Sequence, residues 1–518
     1  MQNKILSIKT SGTLPSIVYD KSNRPLKKIH DPDGIKATET WEYHDEERLV
    51  IYTDTNQSTH KTYHDKLGRI IKEINGLEQE ITSTWDELSR LTKRTDSLQQ
   101  STILTYDDDN RTIISTLASS TSIIKKNAFN EIESELNADG ELKQKKYDVD
   151  GQINTEIDAD SHARIYSYNN AGWLIEIKNP LNKVQYKHNK SGQVEEQIEL
   201  GLNNEVHASI FKRDAQGREI MRIDANQIST KTFDRRGLET DKIIDPDGIG
   251  IRTHYEYDGL GKVVLEIKES NDYPQQFITQ FERDPLSRVT NKIIAPGQIN
   301  LSTQTIYNAL GNYIITVDPN NHPSYACFDV ANNQRYAIDA LGGVIGKKYN
   351  GNGQCIEERH YSIPLNLNTI DDFSWAFIES LLCTSDQDKV MSYAFNAEGY
   401  CIASLNEHRQ FTQYTHNAQG KLIHEISYAT PINRTEFMVK TPPSTPEDRQ
   451  SAWFYDGRGN ERFRINGEGA VHEQTWNEEG WLIDSCYARS ILSCHIFKLL
   501  PSNLVRSKNQ FVLNSKVI

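Results

Sequence analysis

The chain has 518 residues, of which 36% are apolar, and a net charge of −14. Such acidity argues against a nucleic-acid binder, which needs clustered Lys and Arg to neutralise phosphates. The length accommodates three or four ordinary domains or one repeat array, and the 24 Tyr, 15 Phe and 7 Trp among plentiful Asn, Asp and Gly favour short strands joined by tight turns.

Residues 1–14 form a lead-in with no apolar run long enough for a signal-peptide core, and no segment reaches transmembrane length. From residue 15 to 359 one block recurs: aromatic, Asp or Asn, two variable residues, Gly, a polar residue and an aliphatic one. Signature copies are Tyr63, Asp65, Gly68 and Arg69; Tyr147, Asp148 and Gly151; Tyr257, Asp258 and Gly261; and, after two insertions, Tyr455, Asp456 and Gly459. The Asp/Asn positions run 20, 45, 65, 86, 107, 130, 148, 169, 189, 214, 234, 258, 284, 308, 329, 350, 396, 417, 456 and 477, and just over half of the steps are 20 or 21 residues. About twenty units at so regular a period are one supersecondary element repeated.

A second turn signal follows ten or eleven residues after the first, at Asn75, Asp96, Asp158, Asn179, Asp318 and Asp339, and with Pro and Gly at Asp31-Pro32-Asp33-Gly34 and Asp245-Pro246-Asp247-Gly248. Asx side chains bond their own backbone, Pro presets φ and Gly supplies φ > 0. Two turns per unit leave two strands of about six residues, a β-hairpin meander. Some strands alternate, as Trp173, Ile175 and Ile177 do against Glu176 and Lys178. Others, such as Arg69-Ile70-Ile71-Lys72, do not, which suits a sheet whose inner surface is not a fully packed core.

Residues 360–392 interrupt the array, and 369–382 read as an amphipathic helix capped by Thr369, with Ile370, Phe373, Phe377 and Leu381 on one face. Repeats resume over 393–430. A Pro-rich loop, 431–452, follows, in which Ser444 or Thr445 is placed to cap a short helix beginning at Pro446. The last repeats occupy 453–486 and a non-repeat tail 487–518. Beyond Asp484 that tail has Arg489, Lys498, Arg506, Lys508 and Lys516 but no acidic residue.

The six cysteines (Cys327, Cys355, Cys383, Cys401, Cys486 and Cys494) have no paired metal-ligand spacing and are expected as free, buried thiols, a Cys355–Cys401 disulfide being the alternative. No nucleophile elbow, zincin, P-loop or dinucleotide motif is placed between suitable elements. The carboxylates sit in repeated turns, where solvation outweighs any weak Ca²⁺ affinity of the run Asp107-Asp108-Asp109-Asn110. The expectation is no catalytic, cofactor-binding or metal site, and no enzyme.

The recurring aromatic-Asp-x-x-Gly-Arg block resembles the RHS/YD-repeat family, which includes bacterial Rhs proteins, the B and C subunits of Tc toxins and the YD shell of teneurins. The resemblance covers about residues 15–484. It implies an all-β hairpin ribbon spiralling into a partly or fully formed hollow shell, secreted or at a cell surface. The partners it implies are an encapsulated C-terminal toxin, a companion shell subunit, or a glycan or surface protein. A boundary segment and an effector are not recognisable. Asp31-Pro32-Asp33-Gly34-Ile35 and Asp245-Pro246-Asp247-Gly248-Ile249 read as ordinary turns rather than cleavage sites, and the chain as a shell or a fragment of a longer one.

Overall fold

In the computed structural model of the chain, residues 15–488 are described apart from 31–35, 56, 119, 180–181, 202–205, 225–226, 273–274, 309–312 and 477–481, together with the backbone of a short hairpin, Leu504–Ser507 with Gln510–Leu513. The string 31–35, the turn after Asn477, Cys494 and the basic side chains of the tail lie outside these residues. The structure is one 40-stranded antiparallel sheet in which every strand pairs with its neighbours in sequence. Its first strand, Ser16–Tyr19, and its last, Leu482–Ala488, do not pair, so the sheet is not closed.

The turn chemistry explains the meander. The Asp65 N–H donates a backbone bond to the Arg69 carbonyl, and the Gly68 N–H donates one to the Asp65 carbonyl. Gly68 adopts φ +79°, which closes a type I turn with a left-handed bulge residue and matches the twist of the flanking strands. The left-handed position does not demand glycine, since Ser89 (φ 61°), Asn130 (φ 67°) and Ser287 (φ 64°) hold it in other units. The sheet also carries a register shift just before most signature aromatics' turns, as between Lys146 and Tyr147 or Glu256 and Tyr257.

Because the two turns of each unit alternate, they fall on opposite edges of the ribbon. The ribbon also comes back upon itself. Asp96 and Ser97 bond Asn352, Ser120 bonds Glu398, Asp139 bonds Ala418, and Asp158 bonds Arg458. Counted along the turn positions, Asp86 to Asn350, Asp107 to Asn396, Asn130 to Asn417 and Asp148 to Asp456 are each twelve units. The sequence separation rises from 255 to 300 residues across these contacts while the unit count stays constant. Both insertions therefore loop out of the ribbon without disturbing its winding.

Packed core occurs mainly where those insertions cover the sheet. Among the described residues before Cys327, the buried ones are Ala37, Leu49, Ser58 and Gly250. One cluster joins Cys327, Tyr336, Ile338 and Val344 of the sheet to Ile370, Phe373 and Ile378 of the first insertion. There Phe373 stacks on Tyr325 with centroids 3.9 Å apart, and Arg335 lies 4.8 Å over Trp375. A second joins Ala394, Ala403, Leu405 and Phe411 to Tyr428 and Ile432, with Phe437 against it. The sequence expectation of an incompletely packed inner face holds.

The expected helix is shorter than its pattern suggested. It spans Trp375–Leu381, after a 3-10 turn at Leu367–Thr369. Asp372 accepts from the backbone N–H and hydroxyl of Ser374, which leads into the helix, and Thr369 ends the preceding turn instead of capping. Starting five residues late, the helix turns Ile378 inward and leaves Phe377 and Leu381 exposed. Pro446 begins no helix, because Asp448 gathers the Ser444 hydroxyl, the Thr445 N–H and hydroxyl, and the Ala429 N–H into a tight loop. Ile378→Ala, in the fully buried centre of the first cluster, should cost about 2–5 kcal/mol locally. Limited proteolysis should then cut within 360–392 first, with the far-UV circular dichroism of the sheet retained.

Candidate functional site: the ladder between hairpins and the seam between spiral turns

Most of the described signature Asp and Asn residues are local clamps, and at Asn130 the structure moves the clamp three residues back, to Asn127, whose Oδ1 takes the N–H groups of Phe129 and Glu131 while Asn130 holds the left-handed position. Asp65 Oδ1 accepts from the N–H groups of Leu67 (2.8 Å) and Arg69 (3.0 Å), and Oδ2 takes the Arg69 guanidinium at 2.6 Å. Asp148 holds Asp150 and Gln152, Asp258 holds Leu260 and Lys262, and Asp456 holds Arg458 and Asn460 in the same way. These bonds favour the charged form. The N–H four residues on is the leading cause that holds Asp20, Asp86 and Asp234 below the usual carboxylate range. A carboxylate saturated by backbone donors is a turn anchor and is badly placed for acid–base work.

The rest of the signature reaches the next hairpin. Arg24, Arg90 and Arg288 lie 4.2–4.3 Å over the rings of Tyr43, Tyr106 and Tyr307 in the following units. The aromatic's polar tip then bonds the carbonyl just after that arginine or its equivalent. Tyr106 donates to Leu91, Tyr147 to Ile132, Tyr257 to Glu239 and Tyr455 to Leu422, at 2.6–2.9 Å. Trp85 and Trp476 do the same through their indole N–H groups, to Ile70 and Glu461. Aromatic, Asp and Arg thus form one relay from hairpin to hairpin. Tyr63 stands one residue before this slot, which His64 fills, with its ring nitrogen 3.3 Å from Arg48 O.

Between spiral turns the chemistry changes. Asp158 Oδ2 meets Arg458 Nε at 2.6 Å, Asp160 accepts from Gly457 N at 3.0 Å, Asp139 from Ala418 N at 2.7 Å, and Asp96 from Asn352 at 2.7 Å. Gln419 also donates to Glu141. Most of these acceptors sit on the edge of the earlier turn and their donors on the later one. The seam is close. A Cβ on Gly457 would stand 2.6 Å from Asp160 Oδ1, and one on Gly351 2.6 Å from Ser97 Oγ. The sequence showed these residues only as ordinary turn positions, because nothing local reveals which turns meet after twelve units.

Asp158, Asp160 and His162 lie within 4.8 Å of one another in ligand atoms, yet Asp158 is already paired with Arg458 and Asp160 with Gly457. Asp108 of the acidic run pairs with Arg90. Asp245-Pro246-Asp247-Gly248-Ile249 is a turn, with Gly248 N and Gly250 N both bonded to Asp245 O. Of the described cysteines, Cys327 alone is buried, and burial pushes its thiol up to about 12. Cys355 and Cys401 are free and separated by the strand Lys389–Phe395. Two strand spacings of roughly 9–10 Å exceed disulfide reach.

No protein-family model matches this sequence, and no curated relative does. Solved structures do. The crystal structure of TcdB2-TccC3-Cdc42 superposes with a TM-score of 0.60 over 92% of this chain at 11% identity. The Photorhabdus luminescens Tc holotoxin pore with a mutated TccC3 gives 0.58 over 90% at 12%, and TcdB2-TccC3 without its hypervariable C-terminal region gives 0.53 over 91% at 12%. The fold is that of the Tc toxin shell chains. This chain spans about a quarter of their length, covering 27% of the first. Among the described residues no helix is long and apolar enough to cross a membrane.

Three results are expected. Tyr147→Phe deletes one rung of the relay and should lower stability by about 0.5–1.5 kcal/mol in denaturant titrations. Gly457→Val should part the seam there, raising the radius of gyration in small-angle scattering while the β spectrum persists. The third concerns acid. Burial raises the Asp158 pKa, but the His162 N–H and Arg458 guanidinium outweigh it, and the net shift is downward. Its contribution is present above the unfolded value of roughly 3.9 and lost as pH falls through the lower folded value. The seam should open in that acidic range, and Asp158→Asn should remove that part of the pH dependence.

Proposed function

We propose that this chain is a non-catalytic scaffold, a shell or segment of a shell of a Tc-like or polymorphic toxin that encloses or delivers a passenger polypeptide. The observation that carries the reading is the seam. A sheet ribbon that meets its own edge after twelve hairpins encloses a space, and the usual strand spacing gives a circumference of roughly 115 Å and a diameter of about 37 Å. Few buried residues precede Cys327, so that stretch of wall is lined by side chains without a packed core. Export, a companion shell subunit and a C-terminal toxin as cargo belong to the same proposal.

The second reading, a teneurin-like surface that binds glycans or proteins, draws on one feature. An open recess of about 570 Å³ is lined by Tyr393, Phe395, Tyr414 and His416, beside Cys355 and Cys401. Tyr414 and both thiols bond within the protein, which leaves ring faces as the contact surface.

Co-expression with the polypeptide encoded beside it in the genome separates the two. Enclosure requires a co-purifying complex whose passenger resists trypsin until the shell is opened. A passenger cut at the rate of the free polypeptide would rule the scaffold reading out.

A further inference from the structure

Two consecutive units depart from the rest on the face that carries the relay. The residue five after the signature Asx is bulky in most units, as at Leu91, Ile153, Leu174 and Val263, and pairs across the hairpin with the signature aromatic. In the units of Asn350 and Asn396 it is cysteine, so Cys355 stands opposite Tyr349 and Cys401 opposite Phe395. Phe395 also lacks the polar tip with which tyrosine or tryptophan reaches the neighbouring carbonyl. The arginine position before it holds Gln354, whose amide donates to the Gly399 carbonyl at 2.9 Å. A guanidinium such as covers Tyr106 or Tyr307 has no counterpart at this ring among the described residues.

The shorter side chains hollow out the sheet. Tyr393 and Phe395 on the strand Lys389–Phe395, and Tyr414 and His416 on the strand Phe411–His416, form two rows of rings. The strand Cys401–Leu405 runs between them and adds Cys401 and Ser404 to the lining. Two strand spacings set the rows roughly 9–10 Å apart, room for one ring between them. The recess of about 570 Å³ has the size of a small-ligand site. Its strands, from Val344–Tyr349 to Leu422–Ser427, are paired on both sides, so its shape owes nothing to a sheet edge. At one end Lys347 pairs with Glu358 at 3.5 Å, and His360 meets the same carboxylate at 3.0 Å. The Lys–Glu pair cancels its own charge, while the ammonium keeps N–H donors and the carboxylate lone pairs for a neutral partner.

We propose that this recess binds a pyranose unit of a neutral glycan, its ring between the two aromatic rows and its hydroxyls on Lys347 and Glu358. The assignment rests on the surface-binding reading of the chain and names a ligand for it. A pyranose joins an apolar C–H face, which packs on aromatic rings, to a rim of hydroxyls that need hydrogen bonds. An alkyl chain would strip water from Lys347 and Glu358 without replacing its bonds. A charged ligand would meet one like charge in the pair.

Saturation-transfer NMR on the full chain tests this, with maltose, cellobiose, lactose and N,N′-diacetylchitobiose as probes. At least one sugar should take up saturation through its ring C–H protons. That sugar should also slow alkylation of Cys355 and Cys401, followed by mass spectrometry at alkaline pH because burial raises both thiols. Cys383, exposed in the first insertion, is the control whose rate should not change. Phe395→Ala and Tyr414→Ala should each weaken binding by about tenfold. Cys355→Leu with Cys401→Leu refills the recess with a side chain that other units carry, so circular dichroism should stay native while binding is lost. Binding that survives this refilled variant, or no transfer to any of the four sugars, would overturn the proposal. Adhesion to glycosidase-treated cultured cells then separates the two ideas. If the native chain adheres and the refilled variant does not, the glycan assignment falls and the surface reading stands; if they behave alike, both fall.

Discussion

An Asx side chain that holds the N–H groups two and four residues ahead is the interaction on which the rest of this protein depends. It fixes each reversal of the chain, and at signature turns such as Asp65 and Asp86 it also grips the arginine that ends the turn. That grip aims the guanidinium at the aromatic of the following hairpin. The aromatic in turn seals the backbone carbonyl beside the arginine. A long sheet has little sequence-local means of keeping successive hairpins in register, and this relay supplies one at many of the units. Its energy per rung is small, and its effect comes from repetition.

A ribbon stabilised in this way has no need of a continuous core. The two larger buried clusters form where an insertion lays aromatic and aliphatic side chains over the sheet, as Phe373 does on Tyr325 and Phe437 on Phe411, while a small third one, Ile465 with Val471, lies within the last repeats. Elsewhere the strands are half-buried and rely on ladder bonds, side-chain pairs and the turn relay. Such a construction suits a wall, whose two faces both stay available. It also explains why the insertions are tolerated, since they leave both the strand pairing and the twelve-unit winding unchanged.

The seam works on another principle. Inside a unit the partners are four residues apart; across the seam they are about three hundred apart, as with Asp158 and Arg458. Closing so large a loop needs the intervening hairpins to be rigid and uniform, because their curvature alone brings the edges together. Carboxylates on one edge and donors on the other then fix the register, with glycine where the backbones approach most closely. Ionised pairs at a partly wet edge make the joint sensitive to acid and salt in a way the hairpins themselves are not.

Much of this was legible without coordinates. The period of the Asp and Asn positions gave the hairpins, their two turns and the antiparallel order, because turn chemistry and strand alternation are local properties. The helix in the first insertion was legible as an element but not in its extent. Its apolar spacing was shared by Ile370 and Phe373, which pack from an extended segment. That Tyr147 reaches Ile132, that Arg458 finds Asp158 and that Cys355 lies too far from Cys401 for a disulfide were decided by the tertiary structure. The sequence by itself determined the unit and its repetition. The curvature of the assembled sheet, which sums small twists over twelve hairpins, decided which units meet.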